Sequence, residues 1–274
     1  MLTKVRSAVD IQWATCEDER NWAPRLRAVR ALVSQLEWRS VAAGIRRCAL
    51  LVRSHAQLQL ALPELLQAGL VLQQVHEVRL QEIRRSGEYT GSRGCQAVGE
   101  ATNILAVVAT CSADAVLFIK SWNTNDHDAI GHMLGYPSCC RAFFNDVWTK
   151  PRRIEDPTWR MATNTSGGLL RDNTCLVEGF WECNVLLRWI GARPVLHLPC
   201  SFKCVETVKV ARRLLSTAAT FTDGAVLADL QEMLSWDTRW RAVGGVAHVH
   251  TPALSIQAGT DLAHNACSCT LRTA

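Results

Sequence analysis

The chain has 274 residues, 48% of them hydrophobic and 20% charged, which excludes a wholly disordered polypeptide. Its longest apolar stretches, Ile104 to Thr110 and Ala115 to Ile119, are far too short to span a bilayer. The net charge of +5 comes with 25 arginines against five lysines and no basic cluster interleaved with aromatics, which argues against nucleic acid as a partner.

From Trp22 to about Arg85 the sequence reads as helices. Pro24 suits a first turn, Leu26, Val29, Leu32, Val33 and Leu36 recur at three- and four-residue steps, and Pro63 starts a second helix after a connection over His55 to Leu62. Ser86-Gly87 and Gly91 to Gly94 mark a break, so the expected organisation is a helical N-terminal region at 1–90, a mixed α/β Cys-rich domain at 91–257 and a tail at 258–274. Beyond the break, Gln96 to Thr110 reads as a helix, Ala115 to Lys120 as a buried strand and Ser121 to Asp128 as a loop. Ala129 to Leu134 then reads as a short helix, Gly135-Tyr136-Pro137 as a turn and Ser138 to Trp148 as a helix.

Thr149 to Asn173, with two prolines and Gly167-Gly168, reads as irregular. Glu178 to Ile190 is expected to be a helix ended by Gly191, Pro194 to Leu198 a strand, and Cys200 to Leu215 and Gly224 to Leu234 helices. Val243 to Ile256 gives one or two strands broken at Pro252, and the last eighteen residues have little periodicity. The whole is a helix-dominated α+β chain, with α/β as the alternative, and it carries no solenoid repeat.

A fold of this size does not need disulfides, so its twelve cysteines call for another explanation. Met1 to Asn21 lacks a basic start, an apolar core and a small-residue cleavage site, so a reducing compartment, the cytoplasm, is expected. Cysteines there are buried small hydrophobes, metal ligands or catalysts. Cys48, Cys111 and Cys175 read as core, and Cys16, Cys95 and Cys183 take the same default.

Two segments stand apart: His132-Met-Leu-Gly-Tyr-Pro-Ser-Cys139-Cys140-Arg-Ala-Phe-Phe and His197-Leu-Pro-Cys200-Ser-Phe-Lys-Cys204. Each sets a proline just ahead of cysteine at the expected start of a helix, where unpaired N–H groups and the helix dipole favour a thiolate. Cys200 and Cys204, four apart on a helix, project from one face a turn apart. Burial alone gives no reason for thiols at two exposed first turns, so Cys139, Cys140, Cys200 and Cys204 are expected to share a metal or redox role.

The Gly-Tyr-Pro-Ser-Cys139-Cys140 segment with Phe143-Phe144, followed by His197-Leu-Pro-Cys200-Ser-Phe-Lys-Cys204, resembles uncharacterised proteins of the domain-of-unknown-function 483 type. The resemblance covers roughly residues 131–211 and implies only that the two segments belong to one site.

Structural zinc sites usually draw their ligands from C-x2-C knuckles, which neither segment has. Vicinal cysteines strain to reach one small ion, whereas a [4Fe–4S] cluster offers metal atoms farther apart, so an iron–sulfur cluster is expected ahead of zinc. Cys140 would be its fourth ligand or a free reactive thiol. The C-x3-C-x2-C signature of radical S-adenosylmethionine enzymes is absent.

His132, His197 and Tyr136 are the residues expected to line a small-molecule pocket beside the centre, with Lys203 and Glu206 as further contributors; each histidine reads equally as a core residue. His127 lies between Asp126 and Asp128 in a polar loop. His248 and His250 alternate on a strand and share a face, a weak metal signal, and His264, Cys267 and Cys269 lie in the tail.

The first expectation is therefore a metalloenzyme acting on a small molecule by sulfur transfer, redox or Lewis-acid chemistry. The second is a structural zinc protein binding RNA or a protein partner through a basic surface that includes Arg46, Arg47, Arg84 and Arg85. The third is a metal-free thiol redox enzyme. The chain lacks Walker A, dinucleotide glycine-rich, G-x-S-x-G and His-Glu-x2-His motifs.

Overall fold

Thr15 opens the first helix by accepting from the Asp18 amide at 3.0 Å, and Glu17, Asp18 and Glu19 sit favourably at the positive end of its dipole. This helix, α1 (Cys16–Ala42), buries the expected stripe of Leu26, Val29, Leu32, Val33 and Leu36. Pro24 lies inside it and not in its first turn, because the Thr15 cap starts the helix earlier. The computed structural model describes residues 9–78, 103–147, 157–166, 174–243, 246–259 and 267–273.

The N-terminal region is not purely helical. Strands β1 (Asp10–Trp13), β2 (Cys48–Arg53) and β3 (Val71–Val78) lie within it. Helix α2 (His55–Gln67) begins at the segment expected to be a connection, because Ser54 and Gln57 form a reciprocal capping box; Pro63 is internal to that helix. Residues 103–109 of the expected helix form β4 (Asn103–Ala109), which pairs antiparallel with both β2 and β3 in a three-stranded sheet of order β2-β4-β3. Its near-continuous apolar run suits a strand buried on both faces: Leu105 and Val107 join one core cluster and Val108 another.

Helix α3 (Ser112–Asn123) replaces the strand expected over 115–120, because Phe118 and Trp122, four apart, cover the sheet from one side. Helices α4 (His127–Met133) and α5 (Ser138–Val147) fall where expected. Within the stretch read as irregular, residues 157–166 form helix α6 (Pro157–Ser166). The expected helix over 178–190 is instead the end of β5 (Thr174–Gly179) followed by two single 3-10 turns, Trp181–Cys183 and Arg188–Ile190, the latter ended by left-handed Gly191. Residues 194–198 run without a sheet partner, which corrects the strand expected there.

Helices α7 (Val205–Ala218) and α8 (Gly224–Leu234) precede β6 (Thr238–Val243), β7 (Val246–His250), β8 (Leu254–Gly259) and β9 (Cys267–Thr273). The six-stranded sheet has the order β1-β8-β7-β6-β9-β5, antiparallel throughout except for the β5–β9 pair. The tail is thus corrected over 267–273, which form an interior strand. Helices α1, α7 and α8 contribute to the main core with this sheet, around fully buried Trp240.

Helix outweighs strand among the described residues, and mostly antiparallel sheets with separate helices make the chain α+β. The break expected at 86–94, with Cys95, lies outside the described residues. Pairs β2–β4, β3–β4 and β1–β8 all cross the expected division at residue 90. No helix among the described residues is long and apolar enough to cross a membrane.

Candidate metal centre

The turn between α4 and α5 is built on Gly135, whose φ of +72° is left-handed and whose Cα lies so close to Arg46 that a β-carbon would meet the Arg46 Cβ at 2.8 Å. Tyr136 is tied down at both ends, its amide to the Gly131 carbonyl and its hydroxyl donating to the Leu196 carbonyl, each at 2.9 Å. Helix α5 then opens at Ser138, placing Cys139 and Cys140 in its first turn.

The second segment differs from expectation. Residues 200–203 turn, and α7 begins only at Val205, with Cys204 as its N-cap residue. Cys200 and Cys204 are therefore brought together by a backbone turn and not along a helix face. Three contacts fix that turn: Asn164 donates to the Cys200 carbonyl at 2.9 Å, the Phe202 amide donates to the Thr165 hydroxyl at 2.8 Å, and the Phe180 amide donates to the Phe202 carbonyl at 2.9 Å. Two of them come from α6.

The four sulfurs converge, all lying within 4.8 Å of one another. Cys139 Sγ is 3.9 Å from Cys140 Sγ, and both are 3.7 Å from Cys204 Sγ. Cys140 and Cys204 are buried, Cys200 is half-buried, and Cys139 reaches solvent. The group can hold a metal, and the vicinal pair reaches a common point without difficulty.

Local electrostatics favour negative charge there. The N-termini of α5 and α7 both meet the cluster, and their unpaired amides stabilise thiolate. Hydrogen bonds from Cys140 and Cys200 hold the Cys204 thiol far below its ordinary range. Its bonds to Cys200 and Cys204, together with burial, push Cys140 up. A bound cation would draw the four sulfurs to thiolate.

Thr207, which belongs to no motif along the chain, links this cluster to His197. Its hydroxyl lies 3.4 Å from Cys140 Sγ and 2.9 Å from His197 Nε2. Burial lowers the His197 pKa to about 4 and raises that of Tyr136 to about 12. Their rings stand 5.3 Å apart, centroid to centroid. Cys183 packs against the cluster, donating to the Cys204 carbonyl at 3.5 Å, but stays outside the four; burial pushes its thiol up.

A cavity of about 330 Å³ adjoins the centre, and Cys140, Tyr136 and His197 line it. His127 also lines it, its ring tilted by 52° against that of Phe144 with centroids 5.5 Å apart. His132 sits exposed on α4, away from the lining. Lys203 and Glu206 lie on the surface near Glu178 and Lys209, at 4.0 and 2.6 Å. His248 and His250 share the outer face of β7, apart from the sulfur group. Cys267 and Cys269 lie in β9, also apart from it, and His264 lies outside the described residues.

Of the basic surface expected around Arg46 and Arg47, Arg46 is withdrawn from solvent while Arg47 remains half exposed. Arg46 is buried against Glu37 at 2.9 Å, and Arg47 pairs with Asp114. Arg84 and Arg85 lie outside the described residues. Among known proteins, no family model, no curated protein and no solved structure matches the chain.

Proposed function

We propose that the protein binds a single tetrahedral metal ion, zinc, through Cys139, Cys140, Cys200 and Cys204, and that this centre walls a cytoplasmic small-molecule site. The spacing of the sulfurs carries the reading. Four thiolates about 2.3 Å from one zinc stand about 3.8 Å apart along the edges of their tetrahedron. The sulfurs of Cys139, Cys140 and Cys204, at 3.7, 3.7 and 3.9 Å, match one face of that tetrahedron, and Cys200 Sγ lies within 4.8 Å of all three. A four-iron cube sets its thiolates on separate irons, roughly 6 Å apart, so zinc takes precedence over the cluster expected from the sequence.

With four ligands from the chain, the ion has no open position, and it supplies a cross-link between α5 and the Cys200 turn. The cavity wall does the rest. At neutral pH Tyr136 keeps its phenolic proton, which it donates to the Leu196 carbonyl, and His197 is uncharged with Nε2 on Thr207, so both line the wall as neutral groups. Cys16, Cys48, Cys111, Cys139, Cys140, Cys175, Cys183, Cys200 and Cys204 are free thiols, which accords with a reducing compartment.

Metal and acid-labile sulfide analysis of anaerobically purified protein tests the proposal. One zinc per chain, without sulfide or colour, is expected. Iron with sulfide would replace zinc by a cluster. A metal-free protein that forms a disulfide from Cys204 to solvent-reaching Cys139 would favour thiol redox chemistry, for which their 3.7 Å contact is the supporting observation.

A further inference from the structure

The lining of the 330 Å³ cavity is unevenly charged: Arg46, Arg53, Arg141 and Arg193 contribute guanidinium groups, and Glu37 is the one carboxylate among the lining residues. Glu37 is already occupied by bridging Arg46 at 2.9 Å and Arg193 at 3.1 Å. Arg141 is held from outside the lining by exposed Asp128 at 2.8 Å. Among the described residues Arg53 donates to neutral groups, the Val52 carbonyl and the Ser34 hydroxyl. Arg46, Arg53 and Arg141 thus set three guanidinium groups against Glu37 and the outlying Asp128, a surplus of positive charge among the described residues of this confined space.

Arg46 is the most informative of the four. Its side chain is 3% exposed, its Nε donates to Ser40 at 2.6 Å, and its Nη2 donates to both the carbonyl and the carboxylate of Glu37. Its Nη1 meets no acceptor among the described residues. Arg141 likewise uses Nε and Nη1, on Asp128 and the Tyr136 carbonyl, and its Nη2 meets no acceptor among them. Neither of these two donors is sealed from solvent without a partner, and an oxyanion in the cavity would give both strong, directional hydrogen bonds.

The remaining wall is apolar and partly aromatic, with Leu50, Leu105, Trp122, Ile130 and Phe144. The cavity volume falls at the lower end of ordinary small-ligand sites.

We propose that this cavity binds a small organic acid, its carboxylate or phosphate head between Arg46 and Arg141 and its apolar body against Trp122 and Phe144. This assignment deepens the small-molecule reading above and rests on it. Arginine recognises both kinds of oxyanion by the same paired donors, so only the head group remains to be chosen.

Calorimetric titration of the anaerobically purified full chain with phenylacetate and with phenyl phosphate decides between the heads and tests the site. At least one is expected to bind with a dissociation constant below about 1 mM and to weaken as salt rises. Arg53→Gln and Arg141→Gln are each expected to weaken it about tenfold or more. Metal content, measured on the same samples, is expected to stay at the wild-type level. These two variants are used because Arg46 is deeply buried and its replacement risks the fold. The proposal is overturned if neither probe binds at about 10 mM. It is equally overturned if binding ignores both substitutions, or if both strip the metal, because the guanidinium groups would then support the centre and not a ligand. Wild-type protein that binds a probe but contains no metal would refute the metal centre and leave the organic-acid site standing.

Discussion

Two groups of cysteines in this molecule use one side chain in opposite ways. Cys175 of β5 and Cys269 of β9 are register partners in the large sheet, each 1% exposed, whereas Cys140, almost equally buried at 2%, belongs to the four-sulfur group. In the sheet the neighbouring amides are committed to the strand ladder, and burial pushes the Cys175 thiol up, outweighing the opposing Ser166 hydroxyl 3.9 Å away. At the starts of α5 and α7 the amides have no helical partner and the dipole is positive. Backbone context, more than burial, separates a small hydrophobe from a ligand.

Mutating the two groups sharpens that contrast. The largest effect is expected for Cys204→Ser, which should lose the bound metal and cost more than about 3 kcal/mol in urea unfolding, since a ligand set removed from the centre removes its folding energy. Metal loss from Cys269→Ala as well would erase the distinction.

The sulfur side should also respond to pH through His197. Its folded pKa of about 4 lies below its ordinary 6.5, so its contribution to stability is complete above about pH 6.5 and drains away as pH falls towards 4. The stability difference between wild type and His197→Gln should therefore shrink by something on the order of 3 kcal/mol across that window. The Cys204 charge acts on His197 against the effect of burial, so thiolate protonation contributes to the same difference. A difference that stays flat with pH would place His197 in a more solvated setting.

Smaller effects follow. Cys175→Ala and Cys269→Ala should each cost about 1–2 kcal/mol by leaving a small void, with metal content unchanged. Asn164→Ala removes the 2.9 Å bond to the Cys200 carbonyl and should cost about 1 kcal/mol while hastening metal release to a chelator. Unchanged release kinetics would mean that α6 does not hold the turn.

The four-sulfur group was legible in the sequence because each pair follows closely on a proline, a local pattern with a chemical signature. The stripe of α1 was legible for a similar reason, its period being long and regular. Short apolar runs were not. Ile104 to Ala109 and Ala115 to Ile119 look alike as text, yet one is the central strand β4 and the other lies in α3; which face meets a neighbour is decided by tertiary packing. The alternation of Cys267, Cys269 and Leu271 was hidden by the polar residues between them, and only the β6 and β5 partners make it a strand.

The Cys200 turn was misread as helix because its restraints come from Asn164 and Thr165, more than thirty residues away. Thr207 gave no signal at all; its importance is purely spatial. The arginine-lined cavity was equally invisible, since Arg46, Arg53, Arg141 and Arg193 are dispersed along the chain and read singly as surface charge.

The central claim is that four thiolates surround one ion. X-ray absorption at the metal edge of anaerobically purified, full-length protein tests it most directly. The account predicts a zinc edge with a single shell of four sulfurs at about 2.3 Å and no metal–metal scattering. An iron edge with an iron–iron contribution, or a shell in which nitrogen or oxygen replaces sulfur, would contradict it.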